Sequence, residues 1–137
     1  YFDKYVELAN RSLNNLYFLY INITNFDKVV HTYDVEFGEN LIRKLSKHLL
    51  SLIRKSDIVG RIESSSFGVI TLSRGIPKPL ITRINQGIVE FSEKLGLDLD
   101  VSIGVAEYGT DGKELDVLLK RARTYMHTIA NDEKLAE

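Results

Sequence analysis

Residues 16–23, Leu-Tyr-Phe-Leu-Tyr-Ile-Asn-Ile, form a run of apolar, aromatic and β-branched side chains broken only by Asn22 near its exit. Eight residues of this kind are strand length, and the lack of polar alternation places the segment centrally in a sheet. The rest of the chain reads as what surrounds such a strand. Residues 2–13 read as a helix, about Phe26 to Tyr33 as a short helix, and about Val35 to Lys55 as a longer one. In the longer helix Leu41, Ile42, Leu45, Leu49, Leu52 and Ile53 share one apolar face. Asp57 to Ile62 and Phe67 to Leu72 read as two short strands joined through Glu63-Ser64-Ser65-Ser66, a β-hairpin. A helix from about Pro79 to Leu95, a strand from about Leu99 to Glu107 and a helix from about Lys113 to Ala130 follow. The order βααββαβ after an N-terminal helix predicts an α/β (α+β) sandwich with a central mixed sheet flanked by helices.

Composition narrows the function classes. The 137 residues, 44% hydrophobic and 27% charged, have the size and balance of one globular domain spanning 1–137. A net charge of −1 gives no global basic field, which argues against polymeric DNA or RNA, and an anionic ligand would have to be read by a local cluster. The absence of cysteine excludes disulfides, thiolate metal sites and cysteine nucleophiles, and fits a reducing cytosol. No apolar run approaches transmembrane length. The first residue is Tyr1 and no signal-peptide pattern follows, so the expectation is a piece of a longer protein, cytoplasmic or the cytoplasmic part of a membrane-anchored one. No repeat or Pro/Gly-rich linker divides it, and both prolines, Pro77 and Pro79, fall in one loop.

Two neighbouring motifs carry the chemistry. Arg54-Lys55-Ser56-Asp57 is followed, five residues later, by Glu63-Ser64-Ser65-Ser66-Phe67, and of the eight arginines only Arg54 has an aspartate three residues on. Taken alone, serines at a hairpin tip are ordinary turn chemistry, and Arg54 and Lys55 are cations favoured at a helix C-terminus. His31, His48 and His127 share no ligand spacing and read as surface or satisfied helix residues. Tyr17, Phe18 and Tyr20 read as core, and Thr110-Asp111-Gly112 as a turn.

The common register of these landmarks resembles the GGDEF (diguanylate cyclase) family across nearly the whole chain. Tyr20 to Phe26 stands where that family has a strand ending Asp-x-Asp-x-Phe, Gly38-Glu39 where it has Gly-Asp, and Val101 to Ala106 matches its Ser-x-Gly-x-Ala strand. Arg54 and Asp57 fall at the spacing of its RxxD inhibitory site for cyclic di-GMP. The opening Asp-x-Leu-Thr-x-Leu-x-Asn-Arg segment of the family is absent from this sequence. The resemblance implies the nucleotidyl cyclase, palm-like fold. It also implies two divalent cations on carboxylates at the strand end and in the hairpin, where this chain has Asn22 and Ser66. Glu63 and Ser64 replace the paired glycines, with Ser65 beside them, and Glu63 sets a carboxylate against the triphosphate. Val30 replaces the guanine-contacting asparagine, Glu39 the second guanine contact, and Ala130 a phosphate-binding lysine. No catalytic residue, metal site or cofactor is therefore expected.

The retained RxxD site implies a different role. Guanine presents O6 and N7 as acceptors on its Hoogsteen edge, which the planar fork of Arg54 can meet, and N1–H and the 2-amino group as donors, which the Asp57 carboxylate can accept. Arg61, Arg74 and Arg83 are candidate additional cations, Arg83 foremost. The expectation is an inactive GGDEF domain serving as a cyclic di-GMP receptor that relays to attached regulatory or membrane domains or to a partner protein, with a homodimer admitted. The rivals are a structural docking or dimerisation module without nucleotide and a GTP-binding domain.

Overall fold

The computed structural model describes residues 2–12 and 14–124. Their elements run α1 (Phe2–Ser12), β1 (Asn15–Ile23), α2 (Phe26–Thr32), α3 (Val35–Leu52), β2 (Ile58–Glu63), β3 (Ser66–Ser73), α4 (Lys78–Lys94) and β4 (Val101–Glu107), followed by a helical segment over 115–124, α5. The sandwich and the element order agree with the sequence pattern. The four strands lie in the order β2-β3-β1-β4.

β1 is central, as its composition requires. It pairs along its whole length with β3, from Asn15 opposite Ser73 to Asn22 opposite Ser66, and on its other side with β4, Tyr17 opposite Glu107 through Ile23 opposite Val101. All three pairings are antiparallel, which corrects the mixed sheet expected from the sequence. The cause is the hairpin. β2 runs the same way as β1, but its short connection to β3 inserts β3 between them, so no two parallel strands become neighbours.

Alternating β1 side chains serve two layers. Leu19, Ile21 and Ile23 face one core with Phe67, Val69 and Ile103, covered by Phe26 and Val29 of α2, Leu41, Ile42, Leu45 and Leu49 of α3, and Leu80, Ile84 and Ile88 of α4. Each such side chain contributes about 1.5–3 kcal/mol on burial, so this layer dominates the apolar stabilisation. Phe18 and Tyr20 face the opposite layer with Ala106, and α5 covers them with Leu118 and Ala122.

Two local features set the limits of α3. Asp34, extended, caps its start by accepting from the Phe37 amide at 2.7 Å, one of the orphan donors of a helix N-terminus. The helix ends at Leu52, with Ile53 extended at φ −98° and ψ 165°, rather than at Lys55. Helix continuation is replaced by a tight turn in which the Asp57 amide donates to the Arg54 carbonyl at 3.0 Å and the Arg54 amide donates to Asp57 Oδ2 at 3.0 Å. The carboxylate thus competes successfully for a backbone donor that a helix would otherwise use. Among the described residues no helix is long and apolar enough to cross a membrane.

Candidate functional site

The turn from Arg54 to Asp57 sits where the end of α3, the start of β2 and the end of β3 meet. Asp57 is the organising group. Its side chain is 1% exposed while that of Arg54 is 53% exposed. Oδ1 accepts from Thr71 Oγ1 at 2.7 Å and from Arg54 Nη2 at 3.4 Å; Oδ2 accepts from the Arg54 amide at 3.0 Å and from Arg54 Nε at 3.4 Å. Each oxygen therefore has one short anchor and one long contact. Arg54 Nη2 also donates to Thr71 Oγ1 at 2.8 Å and to the Leu72 carbonyl at 2.6 Å. The guanidinium is folded back over the carboxylate and covers it, while Nη1 makes no hydrogen bond to the described residues.

The two residues differ in exposure. Arg54 is accessible; Asp57 is interior and holds three elements together. Thr71 was missed by sequence reasoning, since a threonine in a strand is routine and only the fold brings it 14 residues back to Asp57. Tyr5 of α1 was missed for the same reason: its hydroxyl donates to the Ser56 carbonyl at 2.9 Å, tying the N-terminal helix to this turn.

The other candidate cations divide between two ends of α3. Leu52 packs on Gly87 of α4, and His48, whose Nε2 lies 3.0 Å from the Gly87 carbonyl, stacks on Phe91. Arg83, one turn before Gly87 in α4, is exposed and lies beyond the Leu52–Gly87 contact on the side toward the C-terminal end of α3. Arg74 is exposed two residues beyond Leu72, whose carbonyl holds Arg54. Arg61 is not brought to Arg54. It lies toward the hairpin tip, where Nη1 and Nη2 donate to Glu39 Oε2 and Oε1 at 3.1 and 3.0 Å and Nη2 also reaches the Ser64 carbonyl. Glu39 is near the start of α3, a helix about 27 Å long at 1.5 Å per residue, and Arg54 follows its end.

At the hairpin tip the side chains expected from the resemblance to stand at the catalytic centre are bonded to their neighbours. Asn22 Oδ1 accepts from Ser65 Oγ at 3.1 Å. Ser66 is buried, its Oγ accepting from the Glu63 amide at 3.1 Å, and Ser65 supplies the hydroxyl that meets Asn22. An amide and a hydroxyl lack the negative charge that holds magnesium, and the described residues contain no group of three or more His, Cys, Asp or Glu side chains able to hold a metal. The residues present do not fit a pair of divalent cations. Glu63 does not present an unpaired carboxylate, as its substitution for glycine had suggested: Oε1 accepts from Tyr20 Oη at 3.0 Å and pairs with Arg123, whose guanidinium also lies 5.1 Å from the Tyr20 ring centroid. Val30 is half-buried against the core and packs beside Gly38. Ala130 and His127 lie outside the described residues.

Two predictions follow from these contacts. Asp57→Ala removes the anchors of Thr71 and the Arg54 amide together, so it should lower unfolding free energy by roughly 1–3 kcal/mol, read from urea denaturation; an unchanged midpoint would show that the turn holds without its carboxylate. The Arg61 hydrogen bond and charge hold the Glu39 carboxyl below its ordinary value of 4.5. A depressed carboxylate adds stability that is complete above the ordinary value and is lost as pH falls through the lowered one. Glu39→Gln should therefore narrow the stability difference between neutral pH and about pH 3, and a variant with the parental acid sensitivity would exclude this pair as a contributor.

Comparisons with known proteins bear on the fold and the family. The family model described as diguanylate cyclase, GGDEF domain, matches residues 1–134. The cyclic di-GMP phosphodiesterase NbdA of Pseudomonas aeruginosa is 24% identical over 133 residues, 92% of this chain, and the chain spans only 17% of that protein's length. Among solved structures, the active GGEEF domain of a diguanylate cyclase from Vibrio cholerae superposes with a TM-score of 0.77 at 16% identity, covering 96% of this chain and 86% of the other. The GGDEF domain of DgcB from Caulobacter crescentus, solved in complex with c-di-GMP, gives 0.75 at 16% identity, covering 96% and 81%. An EAL/GGDEF domain protein from M. capsulatus gives 0.70 at 22% identity, covering 87% and 80%. With one family model spanning nearly all of its length and the same fold in each of these neighbours, the chain belongs to the GGDEF, diguanylate cyclase, domain family.

Proposed function

We propose that this domain is a cyclic di-GMP receptor that has lost diguanylate cyclase activity. The observation that carries the reading is the pairing of one short and one long contact on each Asp57 oxygen. The two long contacts both come from the Arg54 side chain. When Arg54 turns outward to the Hoogsteen edge of a guanine, it uncovers the carboxylate and releases one lone pair on each oxygen, while Thr71 and the Arg54 amide keep the group in place. Those two lone pairs suit the N1–H and 2-amino donors of the same base. Arg83 and Arg74, at the same end of the molecule, supply charge for the phosphates, and the DgcB domain was itself solved with c-di-GMP. Relay to attached domains or a partner is supported by the Tyr5 link between α1 and this turn.

Loss of catalysis is supported at the other end of α3. Asn22 and Ser65 satisfy each other, Glu39 is engaged by Arg61, and Glu63 by Arg123 and Tyr20. A reaction that depends on two metal ions to clamp the attacking and leaving oxygens has no anionic ligands at the matching positions. GTP incubated with the protein and Mg²⁺ or Mn²⁺ should give no cyclic di-GMP above a buffer control, and Asn22→Asp alone should not restore it, because the hairpin hydroxyls remain neutral. Product from either protein would overturn the inactive reading.

Binding should be in the micromolar range or tighter by calorimetry, and Arg54→Ala should weaken it by roughly 1–3 kcal/mol, about five- to 150-fold. Cyclic di-AMP opposes the donors of Arg54 with an amino group and offers Asp57 no N1–H or 2-amino group. Two such mismatches should separate the dinucleotides by at least about 100-fold. Equal affinities would leave phosphate charge as the basis of binding and remove Arg54 and Asp57 as base readers; no binding at all would favour a docking module.

A further inference from the structure

Thr71 is fully buried in β3, yet its hydroxyl is committed to a single purpose. It gives its one proton to Asp57 Oδ1 at 2.7 Å and accepts from Arg54 Nη2 at 2.8 Å. A hydroxyl has one donor and two acceptor sites, so the direction of both bonds is set: with its proton on the carboxylate, Thr71 can only accept from the guanidinium. The β-branched side chain restricts χ1, and the paired strand fixes the backbone beneath it, Thr71 standing opposite Tyr17 of β1. Asp57 by contrast belongs to a turn. Its other short bond, to the Arg54 amide, comes from the same turn, so Thr71 is the short side-chain anchor that references the carboxylate to the sheet.

Building on the receptor reading, we propose that Thr71 is a positioning residue that determines specificity for the 2-amino group of guanine. Bonded to Oδ1 alone, it fixes the rotation of the carboxylate and so decides which lone pairs face outward once Arg54 turns away. Without that bond the carboxylate is held only through Oδ2 by the Arg54 amide of the same turn, Oδ1 loses its reference to the sheet, and the two acceptors lose the alignment needed to take two donors from one edge of a base. The Hoogsteen contact of Arg54 does not depend on this alignment. A base that keeps O6, N7 and N1–H but lacks the 2-amino group isolates the contribution of Thr71, and hypoxanthine is such a base.

The test compares cyclic di-GMP with its cyclic di-inosine counterpart by calorimetry on the parent, Thr71→Val and Thr71→Ser proteins. The parent should prefer the guanine ligand by about tenfold or more, the effect of one hydrogen bond to a charged acceptor. Thr71→Val should bring the ratio close to one, and Thr71→Ser, which restores the hydroxyl, should recover it. In the ligand-free proteins the Arg54 Nε–H resonance should be resolved in the parent and in Thr71→Ser and broadened by exchange in Thr71→Val. A Thr71→Val protein with the parental ratio and the parental resonance overturns the role of Thr71 while leaving the receptor reading intact. A parent that binds neither dinucleotide overturns the receptor reading itself, and the specificity role falls with it.

Discussion

One buried carboxylate determines much of the local architecture. Asp57 takes the Arg54 amide beyond the end of α3, immediately precedes β2, and reaches across to β3 through Thr71. Burying an ionised group is expensive unless every lone pair finds a donor, and here four donors converge on its two oxygens. The same satisfaction that makes the group tolerable inside the fold makes it rigid. Rigid placement is what a reader of hydrogen-bond patterns needs, since the ordering entropy is spent when the chain folds and not when the ligand arrives.

The two ends of α3 have taken different courses from one set of elements. At its C-terminal end, a charged pair retains an exposed cation and two contacts long enough to exchange. At its N-terminal end, Glu39 and Arg61 form a two-point ion pair, and beyond it Glu63 is held by Tyr20 and Arg123. Exposed ion pairs add little to stability, so their main consequence is occupancy. Both carboxylates already have partners, and a ligand entering there must displace them.

The sequence made the layers legible where burial is periodic or continuous. The run from Leu16 to Ile23 could hardly be anything but a central strand, and Leu41, Ile42, Leu45 and Leu49 did form the buried face of α3. What pattern reading missed depends on contacts between distant residues. Helical periodicity continues through Ile53, but the backbone stops at Leu52 because a carboxylate five residues later takes a backbone donor. Arg61 and Arg54 are seven residues apart and looked like neighbours in one site; the strand between them carries Arg61 to the hairpin tip and Glu39. Thr71, Tyr5 and Arg123 carried no local signal at all, because their partners are 14, 51 and 60 positions away.

Spacing along the chain nevertheless identified the Arg54–Asp57 turn, and the reason is geometric. A turn joining a helix to the first strand of a hairpin leaves few places for a long cation and a short carboxylate three residues apart, other than against each other. Sequence alone could not assign their division of labour, since burial decides it: the half-exposed arginine is free to move and the interior aspartate is not. In the receptor function proposed above, accessibility assigns the first encounter with a base to Arg54, and the anchored carboxylate then discriminates among bases that the arginine accepts. That proposed function gives affinity and selectivity to different residues of one short motif, with the Thr71 hydroxyl beneath them bonded to the carboxylate.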